Sequence, residues 1–196
     1  MKNKVFRIIN SCIGILIICI GTLIILASIQ LNVEQNHTNE EIEKIKQKRN
    51  EYYKTGVLDT ADITEDNTNE YILRIPSIDS ENLVVEGTTN ESLKNALGHE
   101  NDTSLPGESG NCVIAGHRNY TFGKFFNRLN EVEIGDMIYI DTATESFGYR
   151  VCEIKTVDPD DVEILENTDK EILTLYTCTP IYIATQRLVV VAERIL

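Results

Sequence analysis

The chain has 196 residues, 31 acidic against 18 basic side chains, a net charge of −13 and 42% hydrophobic residues, which leaves room for one compact domain and some flanking sequence. From Tyr71 to Leu196 there are 10 Lys plus Arg and 21 Asp plus Glu, a net −11, which argues against nucleic acid or anionic lipid as the partner. The five cysteines contain no Cys-x-x-Cys pair and the three histidines are scattered, so a structural zinc site has no support.

Residues 1–7 carry Lys2, Lys4 and Arg7. Residues 8–33 then lack Asp, Glu, Lys and Arg altogether, and Ile13 to Ile29 is nearly all apolar, long enough to cross a hydrocarbon core as a helix. The positive flank before it and the acidic stretch opened by Glu34 predict a single-pass anchor in the cell membrane, with a cytoplasmic N-terminus and the remaining chain extracellular. A cleaved signal peptide needs a shorter apolar region and a small-x-small site, and Ala27-Ser28-Ile29 fits that poorly. Residues 34–70 read as a stalk. Within it Asn39 to Tyr53 has helical character, with Glu40 and Lys44 spaced for an ion pair. Its apolar seam, Ile42 and Ile45, looks too thin to make a core. Residues 55–70 are polar and rich in turn formers. A regulatory arm is the alternative reading of this stretch.

From Tyr71 the texture changes to short β-rich runs separated by Gly, Pro, Asn and Asp. The expected strands are Tyr71–Ile75, Leu83–Glu86, Cys112–Gly116, Met137–Asp141, Gly148–Val157, Ile172–Cys178 and Arg187–Glu193. Asn90 to Gly98 reads as a short helix stopped by glycine, and Phe122 to Leu129 as a second helical turn. Seven or eight short strands with few helices predict a mainly β domain over residues 71–196, a barrel or sandwich.

Three residues stand out chemically. Cys178 ends an apolar run and is followed by Thr179-Pro180, where ladder pairing stops and a thiol gains exposure. His117 follows another apolar run and suits a general acid and base. Its rivals are His37, in the stalk, and His99, in a polar loop. Arg187 opens the Leu-Val-Val-Val strand and can hydrogen-bond a carbonyl oxygen as charge builds on it. Arg118 and Arg150 offer the same chemistry. A buried strand thiol, a loop histidine and an edge-strand charge are the bland readings of the three. Cys112 and Cys152 fall in predicted strands, so a bridge between them and two reduced, buried thiols are both open. The carboxylates Asp158, Asp160, Asp161 and Glu163 could bind calcium, but they lack the spacing of a calcium loop, and a solvated acidic loop is the plainer reading. No cofactor is otherwise expected.

Ala115-Gly116-His117-Arg118, Thr174-Leu175-Tyr176-Thr177-Cys178-Thr179-Pro180 and Arg187-Leu188-Val189-Val190 resemble the three signature blocks of sortases, membrane-anchored cysteine transpeptidases of Gram-positive bacteria. Smaller blocks agree, among them Ile75-Pro76-Ser77-Ile78, Val84-Val85-Glu86-Gly87 and Leu105-Pro106-Gly107-Glu108-Ser109-Gly110-Asn111. The resemblance implies a closed eight-stranded β-barrel. It also implies an LPxTG-like sorting signal cleaved between Thr and Gly, with Cys178 as nucleophile, His117 as acid and base, and Arg187 steadying substrate or oxyanion. The partners implied are surface proteins bearing that signal and an amine of a peptidoglycan precursor or cross-bridge. The chain shows neither an Asp-Pro-aromatic lid nor a second apolar span, which leans toward an anchoring enzyme of class A or class D, with class D favoured. Two other readings compete: an L,D-transpeptidase-like cell-wall enzyme, whose motif spacing fits poorly, and an inactive membrane-anchored β-barrel that serves as a binding module.

Overall fold

The computed structural model describes residues 2–55, 70–118 and 124–195. Among the described residues there is one α-helix, α1, over Lys2–Thr55. Eight strands follow: β1 (Tyr71–Ile75), β2 (Ser80–Glu86), β3 (Leu97–His99), β4 (Gly110–Ala115), β5 (Met137–Asp141), β6 (Ser146–Val157), β7 (Glu171–Thr179) and β8 (Gln186–Arg194). By its contacts the chain divides into two units, residues 1–39 and 40–196.

The first unit is the helix alone. Ile13–Thr55 contains an 18-residue window of mean hydropathy 2.5 with none of that window buried, long and apolar enough to cross a membrane. Large apolar side chains such as Leu16, Ile18, Leu23 and Leu26 all face outward.

In the second unit the strands close into a barrel in the order β1-β2-β3-β4-β7-β8-β6-β5, with β5 pairing back onto β1. Most pairs are antiparallel; β2–β3 and β4–β7 are parallel. Closure leaves no free sheet edge. Alternation along each strand fills the interior. On β1, Tyr71, Leu73 and Ile75 point into the core; on β7, Leu173 and Leu175 do so; on β8, Leu188, Val190 and Ala192. The barrel and the one-helix N-terminus agree with the predicted fold class.

Two expected helical segments are corrected. The stretch from Asn90 to Gly98 is not a helix but a single 3-10 turn, Ser92–Lys94, running into β3. Gly98 is a strand residue that lets β3 approach β2, since a Cβ there would sit 2.3 Å from the carbonyl oxygen of Gly87. The short helical turn forms only at Leu129–Glu131; residues 122 and 123 lie outside the described residues.

The Ile42–Ile45 seam is a docking surface. In the second unit, residues 40–55 of α1 lie on the barrel, with Ile42 and Ile45 each 7% exposed against Ile72, Leu83 and Ala96. Ion pairs flank this seam. Lys46 Nζ reaches Glu81 at 2.7 Å, and Arg49 Nη1 sits 2.7 Å from Asp141 Oδ1, off the angle of a hydrogen bond. Asp141 also accepts from Arg74 Nε at 2.5 Å and from Ser146 Oγ at 2.5 Å. Burial pushes the Asp141 carboxyl up, but these three partners outweigh it and hold the group below the usual carboxylate range. The helical half of the expected stalk is therefore packed, because two isoleucines suffice when the barrel supplies the other wall. Residues 56–69 of that stretch lie outside the described residues.

Among the described residues, Cys19, Cys112, Cys152 and Cys178 are unbridged. Cys112 faces the barrel interior and is buried, whereas Cys152 lies on the outer face and is exposed. Facing opposite sides of the wall, they do not form the conceivable bridge, and only one of the two is a buried thiol. Burial pushes the Cys112 thiol up to about 12, so it is not reactive at neutral pH.

Candidate active site

Side-chain alternation decides where Cys178 points. Leu173 and Leu175 point inward, so Tyr176 and Cys178 share the outer face of β7. The antiparallel register sets Cys178 directly opposite Arg187 on β8. Directly opposed residues have Cβ atoms about 4.5–5.5 Å apart on one face. Cys178 is partly exposed and Arg187 half-buried.

His117 reaches the same place from the neighbouring strand. β4 runs parallel to β7, with Ala115 beside Tyr176. Two hydrogen bonds extend that register: Gly116 N–H donates to the Tyr176 carbonyl at 3.2 Å, and Thr177 Oγ1 donates to the Gly116 carbonyl at 2.6 Å. Phe126 N–H then donates to the His117 carbonyl at 3.2 Å. Gly116 is required by close packing, because a Cβ there would lie 2.5 Å from both Leu97 and Phe126. The backbone on either side of His117 is thus fastened, while its ring is exposed.

Two clefts meet at Cys178 and His117. One, of about 290 Å³, also takes in Arg187 and Tyr176 and is walled by Leu93, Val162, Ile164 and Leu165. The other, of about 270 Å³, runs under the β7–β8 loop past Arg118, Pro180, Ile181 and Tyr182. That loop holds Tyr182 (φ 75°) and Ala184 (φ 58°) in the left-handed region, a strained backbone of the sort found at ligand sites.

All three predicted site residues therefore lie together. His37 is exposed on α1. His99 is 2% exposed, with Nδ1 3.0 Å from Glu86 and Nε2 3.0 Å from Thr103 Oγ1, a packed structural group that lines neither cleft. Arg150 pairs across β5–β6 on an exposed face, but Arg118 does line a cleft. Of the acidic run 158–163, only Asp161 lines a cleft, and its Oδ1 accepts from the Glu163 N–H at 3.0 Å. Among the described residues no three His, Cys, Asp or Glu side chains gather as metal ligands.

Two features escape sequence reasoning. The Tyr176 hydroxyl donates to Glu100 Oε1, and Thr88 Oγ1 donates to Glu100 Oε2 at 3.0 Å, making a polar floor to the larger cleft. Burial, then the Glu100 bond, pushes the Tyr176 phenol well above its ordinary value, so it stays protonated. No spacing links positions 88, 100 and 176; the barrel closure brings them together. The second feature is the apolar wall from the β6–β7 loop. Its one signal was Val162, Ile164 and Leu165 set within an acidic stretch.

A closed mixed β-barrel here carries a cysteine, a histidine and an arginine at adjoining strand ends, residue types that suit covalent thiol chemistry. The sortase domain model matches residues 73–195, more than half of the chain, and the chain belongs to the sortase family. It is 36% identical over 128 residues to Sortase D of Bacillus subtilis (strain 168), covering 63% of each chain. It is 31% identical over 121 residues to Sortase A of Listeria monocytogenes serovar 1/2a, covering 62% of this chain and 54% of that one. The chain thus spans less than two thirds of the length of these curated relatives. Among solved structures, a Clostridium perfringens Sortase D5 transpeptidase superposes with a TM-score of 0.67 at 31% identity, covering 81% of this chain and 98% of that one. Family membership sets aside the L,D-transpeptidase reading.

Proposed function

We propose that this chain is an active cysteine transpeptidase that cleaves an LPxTG-like sorting signal between Thr and Gly and transfers the acyl group to a cell-wall amine, so fixing surface proteins to peptidoglycan. The observation that carries this reading is Cys178 facing Arg187 across β7–β8 while His117 opens onto the same cleft. In the first half-reaction the Cys178 sulfur attacks the Thr carbonyl carbon. The C–N bond to Gly breaks, and His117 gives its proton to the departing amine, leaving a thioester. Arg187, whose Nη1 donates to the Gln186 carbonyl at 3.2 Å, keeps other N–H groups for the oxyanion or the peptide. In the second half-reaction an incoming amine attacks the thioester, His117 takes its proton, and Cys178 leaves. No cofactor enters this scheme. The larger cleft, with its apolar wall, suits the Leu-Pro end of the signal.

The apolar helix anchors the enzyme, with residues 1–7 inside and the barrel outside. The resemblance to Sortase D of B. subtilis and to the Sortase D5 transpeptidase of C. perfringens supports a class D assignment. Fluorogenic LPxTG-type peptides offered to the detergent-solubilised full chain test the scheme. Cleavage between Thr and Gly by the wild type, lost in Cys178→Ala and His117→Ala, is expected. Cleavage at another bond, or cleavage retained in Cys178→Ala, contradicts it.

A further inference from the structure

The smaller cleft has a character of its own. Among the described residues that line it, Arg118 is the one permanently charged side chain. Nη1 of Arg118 donates to Thr179 Oγ1 at 2.9 Å and Nη2 to Asn130 Oδ1 at 2.7 Å, both neutral acceptors. Its Nε is buried with no acceptor. Among the described residues no carboxylate pairs with it. Four other arginines sit on carboxylates, Arg49 and Arg74 on Asp141, Arg128 on Glu131 and Arg194 on Glu171, whereas Arg187, in the larger cleft, like Arg118 has a neutral acceptor only. In a chain of net charge −13, a half-buried guanidinium held only by neutral oxygens is a cation without its counter-ion.

Among the described residues the rest of that arm is Pro180, Ile181, Tyr182 and Ala184, with no acidic group to receive an ammonium. A protonated amine is therefore repelled from it, while an anion is drawn in. Each Nη of Arg118 keeps a second N–H, and such donors bind a carboxylate with charge assistance.

We propose that Arg118 is an acceptor-binding residue, and that the amine resolving the thioester carries a carboxylate on or next to its amine-bearing carbon. This rests on the acyl-transfer function proposed above and specifies its second substrate. Arg118 holds the carboxylate, which sets the neutral amine nitrogen toward the thioester at Cys178. That nitrogen bonds to the carbonyl carbon and His117 takes the amine proton. The carbon–sulfur bond breaks, and the thiolate of Cys178 is released as the new amide forms.

The test uses the full chain in detergent, an LPxTG-type peptide, and glycine and glycinamide in competition as acceptors. Both transfer products are counted by mass spectrometry, and their ratio is read within each variant, so a general change in cleavage cancels. The glycine-to-glycinamide product ratio is expected to fall about tenfold from wild type to Arg118→Gln, the scale of one charge-assisted contact. Arg118→Lys should retain part of the preference. In the wild type alone, raising salt from about 0.05 to 1 M should also lower the ratio severalfold by screening. An equal ratio in wild type and Arg118→Gln, or a wild-type ratio indifferent to salt, overturns the assignment of Arg118 while leaving the cleavage chemistry standing. Absence of any peptide cleavage by the wild type is a different failure: it removes the transpeptidase reading, and the acceptor assignment falls with it.

Discussion

Thr177→Val isolates the bond that ties the histidine strand to the cysteine strand. The substitution keeps shape and β-branching but removes Oγ1, which donates to the Gly116 carbonyl at 2.6 Å from a side chain only 1% exposed. The lost bond and the buried carbonyl left without its side-chain donor together cost about 2 kcal/mol. For a chain of this size that corresponds to a fall in Tm of roughly 4–8 °C. The readout is near-UV circular dichroism, which the eight tyrosines supply in the absence of tryptophan. The same bond fixes the residue immediately before His117. A displacement on the order of 1 Å at a reacting group costs up to about a hundredfold in rate. Thr177→Val should therefore lose at least about tenfold in kcat for peptide cleavage at temperatures where it remains folded. Thr177→Ser should recover most of both effects. A Thr177→Val enzyme with lowered Tm and wild-type kcat would mean that the bond holds the barrel without holding the histidine.

Three further outcomes follow from the packing and charges. Ile45→Ala opens the small cluster beneath the docked segment of α1, and since Ile45 is 7% exposed the loss should be at the low end for such truncations, about 2 kcal/mol in urea unfolding. Asp141→Asn should destabilise by about 3 kcal/mol at neutral pH, because it leaves Arg49 and Arg74 unpaired. The folded carboxyl titrates below its unfolded value of about 3.9, so its contribution is complete above that pH and lost as pH falls through the folded value. The Tm gap between Asp141→Asn and wild type should accordingly close in acid, and a gap independent of pH would contradict the pairing. Limited alkylation at neutral pH should label Cys178 first and spare Cys112, which is buried and pushed up to about 12. Cys152 should react more slowly than Cys178, since burial and then Glu193 and Glu153 push its thiol up.

Much of the barrel was legible because its strands alternate. Tyr71–Ile75 and Met137–Asp141 appear at the expected bounds, and the five other expected strands differ only at their ends. β3 was missed because its three residues follow a helix-like run and contain a glycine, a local pattern overridden by pairing with β2 and β4. The packed role of Ile42 and Ile45 was hidden for a different reason. A two-residue seam is weak as a helix signal, and its strength comes from Ile72, Leu83 and Ala96, which belong to other elements. Cys178 and His117 could be picked out because an apolar run followed by a proline or glycine marks a strand end, and Arg187 because it opens an apolar run. Arg118 stood in the sequence beside Arg150 as an alternative to Arg187, with nothing to show what it would bond. Its unpaired charge exists only once Thr179 and Asn130 have been folded against it.

The proposed acyl transfer runs through a covalent acyl-enzyme on Cys178. The most direct test is to mix the full chain with an LPxTG-type peptide, quench within seconds in acid, and map the modified residue by mass spectrometry. The expected result is a thioester on Cys178 whose added mass equals the peptide up to and including Thr, absent from Cys178→Ala and discharged by added amine. Cleaved peptide with Cys178 unmodified at every quench time, or an adduct on Cys152 in its place, would contradict it.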